Sequence, residues 1–272
     1  MGTASASVQP NIVGGNAATV PTPWMASIQY TAPKYGITNA KPWCGGALAF
    51  RSWVVTNAHC MTDMPAEVAA AVTNGQHFAA GATSIPMSDR QFSVRVGSHD
   101  RTQGGETATV TRIVVHPGWT WGATAPTDDI AMLKLDHPVN SQPIQLAPRA
   151  AQPGDRVQLF GWGADQPDGS SANLPTQLQQ LATTVVDPAR CADGGQTADE
   201  ICTDNPNRTD GPGHGDSGGP AVKYVHGTAQ LVGGCSRGTS SPYPGVAPTI
   251  YTSSPDFRSW IYDTARGVPA AA

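Results

Sequence analysis

Long apolar runs are missing from this chain. No stretch approaches the ~18 consecutive apolar residues of a membrane-crossing helix, and the chain reads as soluble, with no membrane partner. Charge is scarce as well, at 13% of 272 residues, too little to coat the outer faces of many long amphipathic helices. Neither sign dominates. Sixteen basic against 20 acidic side chains leave a formal net charge of −4, with no basic excess to attract nucleic acid. The seven histidines show no close-spaced ligand pattern, so no metal is expected, and no cofactor either.

Glycine and proline are abundant, at 30 and 24, which favours short strands joined by many turns. β-branched runs occur at Trp53-Val54-Val55-Thr56, at Phe92-Ser93-Val94-Arg95-Val96, from Thr109 to Val115, and at Arg156-Val157-Gln158-Leu159-Phe160. Phe92, Val94 and Val96 alternate as one face of a half-buried strand. Three prolines between Pro143 and Pro153 read as a linker between two halves. Near the end, Ser254 and Pro255 read as an N-cap and first helical residue, with Phe257, Trp260 and Ile261 on one helical face. Residues 1–11 are polar and lack an apolar core, and the first basic residue is Lys34. They are expected to be a pro segment or an expression remnant, with an export signal already removed.

Three segments carry chemistry. Gly215-Asp216-Ser217-Gly218-Gly219-Pro220 sets a serine among small residues on a tight turn, where backbone can approach a substrate closely. Val54-Val55-Thr56-Asn57-Ala58-His59-Cys60 supplies an imidazole. Asp128-Asp129-Ile130-Ala131-Met132-Leu133-Lys134-Leu135 supplies a carboxylate. Alone, the serine run also fits an ordinary turn and the histidine a satisfied core residue. Together, in the order His, Asp, Ser, they resemble the chymotrypsin/trypsin family of serine endopeptidases. The resemblance extends from Ile12-Val13-Gly14-Gly15 through Gly161-Trp162-Gly163 to a terminal helix near Arg266.

It implies an all-β fold: two antiparallel six-stranded Greek-key β-barrels with the active site between them, closed by a C-terminal helix. The expected division is 1–11 as an extension, 12–142 as a barrel carrying His59 and Asp129, 143–253 as a barrel carrying Ser217, 254–266 as the helix and 267–272 as a tail. Met61 to Arg90 is longer than the family pattern and reads as a surface insertion.

The resemblance also implies roles. Ser217 would be the nucleophile, His59 its base, and Asp129, which immediately precedes Ile130, the orienting acid. The backbone amides of Gly215 and Ser217 would form the oxyanion hole. Ser236 would support Asp129, and the backbone of Ser236, Arg237 and Gly238 would pair with substrate as an added strand. Cleavage of Asn11–Ile12 would free an Ile12 amine to pair with buried Asp216. Cys44–Cys60 and Cys191–Cys202 match family disulfides, which imply an oxidising, secreted setting. That leaves Cys235 unassigned, as a free buried thiol or one with an unusual partner. Gly213 stands where most members have a bridging cysteine.

At the base of the primary pocket, Gly211 replaces the acid of trypsins. With Gly238 and Gly245 as wall positions, a neutral, open pocket for a large apolar or aromatic side chain is expected. Asp210, one residue earlier, would instead select Lys or Arg if it turned inward. The loop from Gly97 to Glu106 resembles a calcium loop in position but holds too few acids for one. The expectation is a secreted, monomeric endopeptidase acting on polypeptides and open to protein inhibitors of proteases. A secreted esterase or polyester hydrolase with the same triad, and a silent binding homologue, are the alternatives.

Overall fold

The computed structural model describes residues 12–66, 68, 85–122, 126–164, 174–239 and 247–268. The described chain begins in the second half of the molecule, not the first. Val13 bridges Gly211, and the short strand β1 (Asn16–Ala17) pairs with β10 (Gln179–Val186). This strap puts the N-terminal segment next to the loop that leads into Ser217.

The first barrel comprises β2 (Met25–Ala32), β3 (Ile37–Phe50), β4 (Trp53–Thr56), β5 (Gln91–Val96), β6 (Glu106–Val115) and β7 (Ala131–Leu135). It closes in the order β2-β3-β4-β7-β6-β5. The anticipated alternation is present in β5, where Phe92, Val94 and Val96 are buried while Gln91, Ser93 and Arg95 are not. The second barrel uses β9 (Arg156–Gly161), β10, β11 (Glu200–Thr203), β12 (Pro220–Val225), β13 (Thr228–Gly238) and β14 (Thr249–Ser253). Pairings β9–β10 and β9–β12 close it into a six-stranded ring, and β8 (Gln145–Leu146) adds in parallel to β13. All the pairings within both rings are antiparallel.

One apolar cluster fills the first barrel and continues through Phe160, Trp162, Leu178, Val222 and Leu231 into the second. Trp24 and Phe160 meet edge to face across it, with ring centroids 5.4 Å apart. Each such fully buried side chain contributes about 1.5–3 kcal/mol, so this shared core holds the two barrels in one geometry.

Helix α1 (Arg258–Arg266) follows β14 and turns back onto the first barrel. Phe257 and Ile261 are buried in the shared cluster, with Trp260 packed against it. Here the expected start is corrected: Ser254 and Pro255 lie in a turn, and the helix begins at Arg258 without a side-chain cap. Ser254 N donates to Val232 O of β13 at 3.2 Å, which holds this residue to the barrel and delays the helix by about a turn. Most of the Met61–Arg90 insertion lies outside the described residues.

Candidate active site

The serine turn is tied to both barrels by its backbone. Gly45 N of β3 donates to Ser217 O at 2.8 Å, and Gly218 N donates to Cys235 O of β13 at 2.9 Å. Gly215 and Gly218 have φ of 97° and 74°, values that side chains with a Cβ rarely adopt. A Cβ on Gly218 would also collide with Thr56 Oγ1 and the Gly45 carbonyl. Glycine is needed here so that the turn can lie directly against the first barrel. Ser217 itself is half-buried at the junction.

His59 sits on a 3-10 turn, Ala58–Cys60, at the end of β4. The Cys44–Cys60 disulfide pins that turn to β3, and Trp43 Nε1 donates to Cys60 O at 2.6 Å. His59 Nδ1 lies 2.7 Å from Asp129 Oδ2, and His59 N donates to Asp129 Oδ1 at 2.9 Å. Asp129 also accepts from Ser236 Oγ at 2.7 Å and from Asn57 Nδ2 at 3.0 Å. Burial alone would push the Asp129 carboxyl up, but the His59 ring beside it and the hydrogen bonds from His59 and Ser236 hold it below the usual aspartate value. A 1% exposed carboxylate stays ionised here because its donors replace water. Neighbouring Asp128 faces away, 3.2 Å from His116 Nδ1.

The structure therefore brings His59, Asp129 and Ser236 into one hydrogen-bonded group beside the serine turn. Ser236 reaches Asp129 because β13 bulges there: Cys235 pairs with Tyr251 and Arg237 with Ile250, leaving Ser236 as the extra residue. Bulges re-aim side chains in this way. Gly238 pairs with Thr249 of β14, and among the described residues no strand pairs with the opposite edge of 236–238.

Asp216 is 2% exposed. It accepts from Gly163 N and Gly213 N, each at 2.8 Å. Burial pushes its carboxyl up to about 7 in spite of those two donors, and no cation contributes. Ile12 is 1% exposed and packs with Leu159, Val232 and Tyr251. Its φ is 49°, a left-handed value that is strained for a β-branched residue.

Gly211 is buried, its amide donating to Val13 O at 2.9 Å. Asp210 does not stand free. Its carboxylate accepts from Asn207 Nδ2 at 2.7 Å and Thr209 Oγ1 at 2.8 Å, and fills the space a Cβ on Gly14 would occupy. Gly245 lies outside the described residues. The Cys191–Cys202 bond is formed, and Cys235 is a free, buried thiol that burial pushes far above its usual range. Among the described residues, Cys44, His59 and Cys60 bring metal-ligand atoms together, but those two sulfurs are spent in the disulfide. In the Gly97–Glu106 loop, Glu106 accepts from Asn140 and Ser141, and Asp100 from Thr102, Gln103 and Gln177.

Sequence reading missed Asn57, Glu200 and the glycine amides around Asp216. Asn57 stood inside a quoted motif, two residues before His59. Glu200 carried no local signal.

Two closed barrels with a histidine–aspartate pair beside a glycine-bounded serine define a hydrolase of the chymotrypsin fold. The profile of the trypsin family matches residues 12–261. Relatives include a trypsin of Sarcophaga bullata, 30% identical over 82% of this chain and 79% of its own. Trypsin alpha of Drosophila melanogaster is 28% identical over 94% of this chain and 88% of its own. The chain belongs to the trypsin family and is a serine endopeptidase.

Proposed function

We propose that this protein cleaves peptide bonds through an acyl-enzyme formed on Ser217. His59 takes the Ser217 proton as the hydroxyl attacks the carbonyl carbon, then returns it to the leaving amine; in the second half-reaction it activates water. Asp129 holds the imidazole with Nδ1–H toward itself and stabilises the imidazolium. The backbone amides of Gly215 and Ser217 bind the oxyanion, and the open edge of residues 236–238 pairs with the substrate backbone. The observation that carries this reading is the buried Asp129 carboxylate, held ionised and bonded to both His59 N and Nδ1. A binding-only homologue has no use for it.

The pocket reading is a neutral base at Gly211 with a preference for large apolar residues. What supports it is the engagement of the Asp210 carboxylate by Asn207 and Thr209, which costs hydrogen bonds to undo, and its packing over Gly14. Matched peptide substrates ending in Phe, Leu or Arg, together with the corresponding esters, test it. Cleavage after Phe or Leu is expected to exceed that after Arg by at least ~10-fold in kcat/KM. Preferred cleavage after Arg would assign the pocket charge to Asp210, and turnover of esters alone would favour the esterase reading.

Activation is proposed to require cleavage of Asn11–Ile12. Support comes from Asp216, buried with no cation beside it among the described residues, and from the strained φ of Ile12; a cut relieves the strain and supplies the cation. Two disulfides support a secreted protein, acting as a monomer on polypeptides and open to protein inhibitors.

A further inference from the structure

Arg237 follows the bulge residue Ser236 on β13, and all five N–H donors of its guanidinium are used. Nε donates to Gly194 O at 2.8 Å, and Nη2 to Gly195 O and to Glu200 Oε2, both at 2.9 Å. Nη1 donates to Glu200 Oε1 at 2.6 Å and to Ser236 Oγ at 3.2 Å. The Arg237 side chain is 10% exposed and that of Glu200 2%. Its backbone remains available to a substrate strand, but its guanidinium has no donor left for a substrate side chain.

Stability does not account for this arrangement. Desolvating two charges costs about as much as pairing them returns, and apolar side chains of similar volume often do as well. The contact with Ser236 is what an apolar pair would lack. A serine hydroxyl has one proton. By accepting from Arg237, the Ser236 oxygen is turned so that its proton points to Asp129 Oδ2, at 2.7 Å. A hydroxyl that accepts a charged N–H is also the stronger donor. The bonds thus run from Glu200 through Arg237, Ser236 and Asp129 to His59. The far end is set on the loop closed by Cys191–Cys202, since Gly194, Gly195 and Glu200 all lie between those cysteines.

We propose that Arg237, clamped by Glu200, is a positioning residue for the reaction: it locks the Ser236 hydroxyl onto Asp129 and so fixes the orientation of the His59 ring. The proposal rests on the reading of His59 as base and Asp129 as its orienting acid. Arg237 acts only through Ser236 and touches no reacting atom.

The test compares the chain cut after Asn11 with E200Q/R237M, S236A and the triple variant E200Q/R237M/S236A. Arg237→Lys serves as the charge-preserving control. E200Q/R237M removes both charges together, so no unpaired buried ion is left to unfold the protein. Its kcat is expected to fall about tenfold with KM within about twofold. In the S236A background the same pair of changes is expected to cost under twofold, because the relay is already cut. Arg237→Lys, which keeps the charge but not the fork, is expected to restore less than half of the lost kcat. The proton resonance between His59 Nδ1 and Asp129 is expected to broaden in E200Q/R237M. Unchanged kcat, or losses that multiply with S236A, would overturn the proposal while the wild-type chain, still cleaving peptides, upholds the protease reading. If the wild-type chain cleaves nothing, that reading fails, and the resonance decides alone: an unaltered signal overturns the positioning role.

Discussion

Ser217→Ala is expected to lower kcat for peptide hydrolysis by about 10⁴- to 10⁶-fold in the chain cut after Asn11. Peptide binding and thermal stability should change little. The effect is large because, in the proposed mechanism, the serine oxygen is the atom that bonds to the substrate, and no other hydroxyl or thiol in the group can replace it. Ser236 has its only proton committed to Asp129. Cys235 is buried, its thiolate strongly disfavoured. The residual rate would come from orientation and the oxyanion amides alone. Steady-state kinetics on a fluorogenic peptide, with circular dichroism as the folding control, reads the result. More than about 1% of wild-type kcat in a folded Ser217→Ala protein would assign the nucleophile elsewhere.

Cutting Asn11–Ile12 is expected to raise activity by about 10²- to 10³-fold, the scale of losing or gaining one oxyanion-hole donor. It is also expected to invert the pH dependence of stability. In the uncut chain Asp216 keeps its proton up to about 7, whereas an unfolded aspartate releases it near ~3.9. Between those values the native state binds the extra proton, so stability falls as pH rises from about 4 to 7, and the full penalty persists above 7. About three pKa units at ~1.4 kcal/mol each give a penalty of roughly 4 kcal/mol. That corresponds to a Tm lower by on the order of 10 °C for a chain of this size. A new Ile12 ammonium removes the penalty at neutral pH. Thermal melts of both forms from pH 5 to 9 check this: the uncut protein should lose Tm from pH 5 to about 7 and hold the lower value above it, and the cut protein should not, up to the pH where the amine deprotonates. Parallel Tm profiles would contradict the pairing of Ile12 with Asp216.

Much of the architecture was legible because it rests on local signals. Period-2 alternation in Phe92-Ser93-Val94-Arg95-Val96 marked a strand that the barrel uses, and glycines flanking Ser217 marked a turn that must approach Gly45 and Thr56 closely. His59 and Asp129, in segments 70 residues apart, could be associated because each lies in a motif of its own. The remainder depends on pairings that leave no local trace. The bulge at Ser236 is one extra residue relative to β14, visible only once both strands are aligned. Glu200 meets Arg237 across β14 with nothing in either segment to announce it. The helix start failed for a similar reason: Ser254-Pro255 has the composition of a cap, but a backbone bond to Val232 keeps Ser254 in the barrel.

The most direct test of the account is covalent labelling. The chain, before and after cutting at Asn11–Ile12, would be incubated with a fluorophosphonate probe and the modified residue located by peptide mass spectrometry. The account predicts stoichiometric modification of Ser217 in the cut form, little in the uncut form, and loss of labelling in a folded His59→Ala variant. A cut, folded protein that cleaves peptides but carries the probe on another residue, or on none, would contradict it.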